Sequence, residues 1–559
     1  MKRLFVILPL LLLLFSCGNY RASRGPADWI YVSETGSDGT GDGSVGNPFA
    51  TISHAATTAS SGDTIFVQSG TITETATTTL PLGVSIYGEG ATSIITTSSA
   101  LDPIISAVST AGDCVDGSHN ISFVAFDGNS QTADIAIVSR YRSNVVVHDC
   151  SFVDFDENAV IIDGTSSNWD VTPTNVLASG CKVYNCDFVN CTSSAATTAG
   201  GHIRPEGTVG MEIYNCTFDQ TTGGDAEDND ILKGFQNYGL QIYNNTLTRL
   251  NDNGSGWNFF AEIHYSHGGV DIYNNIFNGA AAFDLSVVVK GTYDYGAKVH
   301  HNIWRCDTAP ADPPAHRSPS LDLESYDYEN DIYVYCNYFK NVRTPIKLNN
   351  VGTSADNIWI YYNIIDGCGS SDFEYDSGIS IESNWDFSDP TPMSNIHILN
   401  NTIYAVEQVY SGINVACFGD VTNIDIKNNI IYGNFGRPVR FTYTSGTPEV
   451  TNAVITYNDF YDNDNSAIYY SGSVTFTSCS ESNNITTNPL FRTGSYRLQS
   501  TSPAINAGLY VGLTTDFAGH RVPQNDTVDI GAYEYGDYLF RTPSGKLLRN
   551  ANGKLMISH

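Results

Sequence analysis

The sequence predicts an all-β solenoid, a rod of stacked strands whose core grows along one axis, and three observations predict it. The first is a column of markers: Cys150, Cys186, Cys216, Asn245, Asn275, Asn302, Asn337, Asn363, Asn401, Asn429 and Asn458. Their steps run from 26 residues (Asn337 to Asn363) to 38 (Asn363 to Asn401), the period of a repeat architecture. The second is the apolar pattern around each marker. A β-branched residue stands three before it, as at Val147, Ile242 and Ile398, and a large apolar one two after it, as at Phe152, Leu247 and Ile403. That local alternation is a strand's, not a helix's. The third is composition: only 15% of residues are charged and 50 are glycine, as many short strands joined by turns require.

Each repeat is too short to bury an apolar side alone and must stack on its neighbours. In Leu240-Gln241-Ile242-Tyr243-Asn244-Asn245-Thr246-Leu247, Leu240, Ile242 and Leu247 face inward. Asn245 is expected in the tight turn between them, in left-handed geometry, bonded to the asparagines above and below. Cys150, Cys186 and Cys216 are small, buriable substitutes in the same column. These strings resemble the right-handed parallel β-helix of the pectate lyase-like superfamily with its asparagine ladder. The resemblance covers residues 100–485 and implies a rod of eleven counted rungs, roughly 50 Å long at about 4.8 Å per rung.

The ends read differently. Residues 1–17 form a signal peptide: Met1-Lys2-Arg3, then an apolar run from Leu4 to Phe15, too short for a membrane span. Leu14-Phe15-Ser16-Cys17 resembles the bacterial lipobox, which implies lipidation of Cys17, an outer-membrane or cell-surface location and a membrane contact through that lipid alone. Residues 18–27 are a linker. Residues 28–99 hold a cap and the first rungs, with an amphipathic helix in Pro48-Phe49-Ala50-Thr51-Ile52-Ser53-His54-Ala55-Ala56 closing the open end. In 486–535, Asn488-Pro489-Leu490-Phe491, Ser502-Pro503-Ala504-Ile505-Asn506-Ala507-Gly508 and Asp529-Ile530-Gly531-Ala532-Tyr533-Glu534 resemble the choice-of-anchor Q segment, which implies surface display. Residues 536–559 are a polar tail, a short hairpin or a flexible end. The 12 cysteines lack zinc-site spacing and are expected mostly as buried thiols, with one or two bridges left open.

A formal net charge of −32 excludes a general nucleic-acid-binding role. Against that background, basic residues recur in one strand of several rungs. Arg204, Lys233 and Lys290 stand twelve residues before their markers, and Lys347 sixteen before Asn363. Glu262 with His264, Asp322 with Glu324, Glu382 and Arg440 share that strand, and alternation puts His202 and Arg204 on one outward face. A charged stripe at rung spacing suits an acidic polysaccharide lying along the rod; the superfamily resemblance implies a cleft on this face.

The chemistry such a stripe suits best is β-elimination from a uronate, in which a cation neutralises the carboxylate and a base removes the neighbouring proton. Lys233 is the expected base, with His264 its rival, and Arg204 and Lys290 clamp the carboxylate. His202, Lys347, Glu382, Trp257 and Tyr265 are candidate substrate contacts. Calcium is the cofactor that Asp230, Glu262 and Glu324 would hold through oxygen ligands. Two other readings stand beside this one. Paired carboxylates among Glu262, Asp322, Glu324 and Glu382 would suit a glycoside hydrolase. A solvated face with cross-rung ion pairs would suit a non-catalytic adhesin or glycan-binding rod.

Overall fold

The computed structural model describes most of residues 29–539, with breaks between described stretches, and Ile557–Ser558 of the tail. The chain is a parallel β-helix. Three long parallel sheets run its length, with 17, 14 and 14 strands among the described residues. One rung shows the pattern. Gln241–Tyr243 belongs to the 17-stranded sheet, which precedes the ladder turn. Thr246–Arg249 follows the turn in the second sheet, and Ala261–Ser266 lies in the third, here termed the site sheet. Fourteen strands at about 4.8 Å make a rod of roughly 60 Å. It is longer than the eleven markers suggested, because earlier rungs carry other residues: Ser151, which follows Cys150, registers with Ala125, which follows Val124.

The ladder is continuous. Asn245 Nδ2 donates to Asn275 Oδ1 at 3.1 Å and to Ile213 O at 2.9 Å, while its own Oδ1 accepts the Cys216 N–H at 2.9 Å. The side-chain link repeats through Asn302, Asn337, Asn363, Asn401, Asn429 and Asn458, and ends on Asn484. One expectation needs correcting. The left-handed residue is not the ladder asparagine but the one before it, as at Asn244 (φ 57°), Asn274 (55°), Asn400 (52°) and Asn428 (58°). This accounts for the Asn-Asn doublets: the first tolerates positive φ and the second bonds inward.

Two residues past each marker, the inward column stacks Phe126, Phe152, Phe188 and Phe218 at 4.8–5.1 Å, then Phe277, Trp304 and Phe339 at 4.6–4.7 Å. The ten described cysteines are free, eight of them buried. At the N-terminal end the helix Ile52–Thr58 buries Ile52, Ala55 and Ala56. Its first N–H groups are satisfied by Glu74, whose Oε1 accepts from Ile52 at 2.6 Å, and by Thr51, which accepts from His54 at 3.1 Å.

At the other end, residues beyond 486 turn back along the rod and pack beside the ladder turns. Gly531 N donates to Asn428 O, Ala532 N to Thr402 Oγ1, and Asn428 Nδ2 to Leu509 O. Tyr538–Leu539 pairs antiparallel with Ile557–Ser558. Among the described residues no helix is long and apolar enough to cross a membrane. Cys17 and the rest of the leader lie outside the described residues.

Candidate functional site

Register in the site sheet places the charged residues in two columns. In the first, Lys233 pairs with Glu262, then Val288, Asp322, Lys347 and Ser380 follow on successive rungs. In the second, Arg140, Asp163, Glu206, Phe235, His264, Lys290, Glu324, Asn349 and Glu382 stand in line. The stripe expected from ladder counting is therefore real as backbone geometry, though split over two columns.

Three rungs converge into a cluster. Lys233 is 2% exposed, with Nζ 2.8 Å from Glu262 Oε2 and 3.2 Å from Asp230 Oδ2. Glu262 gives its other oxygen to the imidazole: Oε1 lies 2.8 Å from His264 Nε2. Phe235, buried between these rungs, stacks on His264 with centroids 5.0 Å apart. The Arg204 guanidinium lies 5.5 Å from the centre of the same Phe235 ring. Arg204 also meets Glu206, Nη2 to Oε2 at 3.0 Å. Beyond Glu206, Arg140 Nε holds Asp163 Oδ2 at 3.2 Å. Burial first, and the Glu206 carboxylate second, push Asp163 up to about 6. Burial likewise raises Asp230; the Lys233 ammonium opposes that shift and the Glu262 carboxylate adds to it.

This geometry reassigns several residues. Lys233 Nζ is enclosed between Asp230 and Glu262 and is closed off from solvent, so it cannot reach a substrate proton as a base must. His264, at 13% side-chain exposure, does reach the surface. Its ring lies between the Glu262 carboxyl group and the Phe235 ring. Asp230 and Glu262 do not fit the calcium expectation. Oxygens of both face the Lys233 ammonium, and a cation would have to displace it. Glu324 belongs to the other column, and its side chain lies outside the described residues.

His202 is a second correction. It does not share the outward face with Arg204 but is fully buried, beside Phe218 and Phe188, with Nε2 2.7 Å from Gln220 Oε1. In the strand Gly200–Glu206 the consecutive residues His202 and Ile203 are both buried, so simple alternation fails there. Burial lowers the imidazole to about 4.

Lys347 and Glu382 face each other at 3.1 Å, with Ser380 Oγ donating to Glu382 at 2.9 Å, three to four rungs along the sheet. Lys290 keeps its register between His264 and Glu324; its side chain, that of Tyr265 and all of Trp257 lie outside the described residues. Sequence reasoning missed Asp163, Arg140 and Phe235. Asp163 stands 23 residues before Cys186, against twelve for Arg204 before Cys216, so counting back from the ladder steps past it. Phe235 reads as core in sequence, because only its neighbours in the outer column are charged.

No protein-family model and no curated protein sequence matches the chain. Solved structures of similar fold do. The tailspike protein of E. coli bacteriophage HK620 in complex with pentasaccharide aligns with a TM-score of 0.48 at 13% identity, over 81% of this chain and 79% of that one. DFA-IIIase from Arthrobacter chlorophenolicus A6 without its lid gives 0.42 at 13% identity, over 66% and 94%. The alginate lyase from Paenibacillus sp. str. FPU-7 gives 0.34 at 16% identity, over 51% and 92%.

Proposed function

We propose that the site sheet binds an acidic polysaccharide and cleaves it by β-elimination at His264. The observation that carries this reading is the Lys233–Glu262–His264 chain next to Arg204. Glu262 meets the buried Lys233 Nζ with one oxygen and lies 2.8 Å from the imidazole of His264, 13% exposed, with the other. Arg204, at 16% side-chain exposure, lies across Phe235 from that imidazole.

In this reading the Arg204 guanidinium meets the uronate carboxylate, because its planar fork matches two oxygens and stays charged. Neutralising the carboxylate acidifies the proton on the adjacent carbon. The His264 imidazole takes that proton, the electron pair forms the carbon–carbon double bond, and the bond to the glycosidic oxygen breaks. The leaving oxygen takes a proton back from the imidazolium. Glu262 lies against that imidazolium while it exists, and Lys233 holds the other Glu262 oxygen in place. No step passes through a metal.

The exported setting belongs to the same proposal. A lipid on Cys17 tethers the rod to the bacterial surface, and the segment 486–535 serves display; Cys17→Ala would release the protein from the membrane fraction. The test of the chemistry is incubation with alginate, pectate and chondroitin, following ultraviolet absorbance of the unsaturated product. Absorbance growing on one of them supports elimination. New reducing ends without absorbance would instead indicate hydrolysis, and binding with neither would indicate a glycan-binding rod.

A further inference from the structure

The residues at positive φ that precede the ladder asparagines form a column of their own along the turn. Over several late rungs the returning C-terminal segment takes up that column. Asn428 Nδ2 donates to Leu509 O at 2.7 Å, Asn400 Nδ2 donates to Asp529 O at 3.2 Å, and Tyr362 and Cys336 are buried with Val522 and Val528. On the next two rungs toward the N-terminal end, the column residues His301 and Asn274 are exposed. They line a cavity of about 520 Å³, to which the rod adds the Tyr338 ring and the returning segment adds Tyr496, Phe517 and Tyr533. Phe517 and Tyr533 meet edge to face, with centroids 5.3 Å apart.

The cavity has the size and the aromatic lining of a small-molecule site. Its polar atoms are uncommitted. His301 Nδ1 lies 2.8 Å from His300 Nδ1, but among the described residues His301 Nε2, the Asn274 side-chain amide and the Tyr533 hydroxyl make no hydrogen bond. No Asp, Glu, Lys or Arg lines the cavity. Asp366 accepts the Tyr338 hydroxyl at 3.0 Å, and the Arg497 guanidinium carbon lies 4.8 Å from the centre of the Tyr533 ring, but neither residue is part of the lining. A charged ligand would be enclosed there without a counter-charge, at a cost that a neutral one avoids. An amide, an imidazole and a phenol together donate and accept, which is what hydroxyl groups require. A pyranose carries a rim of such hydroxyls around an apolar C–H face that suits the rings. We propose that this cavity binds a neutral hexose, with the rod and the returning segment each supplying one wall. The site is incomplete without residues 494–533, which gives that segment a binding role of its own, independent of the chemistry on the site sheet.

The experiment titrates the wild type with the methyl glycosides of glucose, galactose and mannose, and with glucuronate, and follows binding by ligand-observed NMR. At least one neutral glycoside should bind, and glucuronate should bind at least ten-fold more weakly. Asn274→Gly/His301→Gly removes both rod-side polar groups. Glycine suits these positions, at φ 55° in each case, so the turn is kept. The expected loss is about ten-fold in affinity for that glycoside, as two hydrogen bonds support. Tyr533→Phe keeps the ring and the packing against Phe517 and should lose about five-fold through the hydroxyl alone. His264→Gln, on the other face, should leave this binding unchanged. A wild type that binds none of the three neutral glycosides would overturn the proposal. So would glucuronate bound as well as they are, or affinity unchanged in both cavity variants.

Discussion

Replacing Lys233 with methionine tests whether that residue is an electrostatic lock rather than a base. The substitution keeps the length and apolar stem and removes only the ammonium. Glu262 (4% exposed) and Asp230 (0%) are then buried beside one another without their shared cation. Breaking a buried ion pair from one side costs about 3–5 kcal/mol, because the remaining charge is uncompensated. The charge-neutral triple variant Asp230→Asn/Lys233→Met/Glu262→Gln leaves no such charge and should lie within about 1 kcal/mol of the wild type. The pH dependence has a definite sign. Asp230 is raised in the folded state, so its protonated form is the one the fold favours. The methionine variant is therefore most stable below the ordinary carboxylate range, near pH 4, and weakens as pH rises through the raised value. A solenoid need not unfold in one step, so the assay is amide hydrogen exchange across Asn229–Phe235 and Ala261–Ser266, alongside a denaturant midpoint. A single variant within about 0.5 kcal/mol of the wild type, with exchange unchanged, would refute this account of the cluster.

Two further outcomes follow from the core. Asn302→Ala removes two side-chain donations and two acceptances, from Ile272 O, Asn337 Oδ1 and Asn275, and should cost about 4 kcal/mol at roughly 1 kcal/mol per bond. Asn484→Ala, at the partly buried end of the ladder, should cost less, and denaturant midpoints compare the two. His202, lowered to about 4, should stay neutral in an NMR titration down to pH 5. A depressed imidazole stabilises the fold above its unfolded value near 6.5 and loses that contribution as pH falls toward 4, an effect of about 3 kcal/mol. Titration of that ring near 6.5 would contradict its placement.

The architecture was legible because a solenoid repeats its constraints. Each rung needs the same inward residues and the same turn, so Ile242, Asn245 and Leu247 recur with their counterparts in every rung. Spacing alone did not separate the two jobs of the doublet, positive φ at Asn244 and the ladder bond at Asn245. The site was legible as a stripe but not as a set of partners. Whether Lys233 is a base or a buried cation depends on where Asp230 and Glu262 point. That is set by packing across rungs 29 residues apart, not by strand alternation. His202 misled for a related reason: alternation would set it on the face opposite Ile203, yet both are buried.

The central claim is that His264 removes the proton, and the direct measurement is the rate of unsaturated product formed by His264→Gln beside its affinity for the same polymer. The account predicts a rate lower by about 100-fold or more, as for loss of a positioned general base, with polymer affinity within about two-fold of the wild type. Product formed by His264→Gln at the wild-type rate would contradict it.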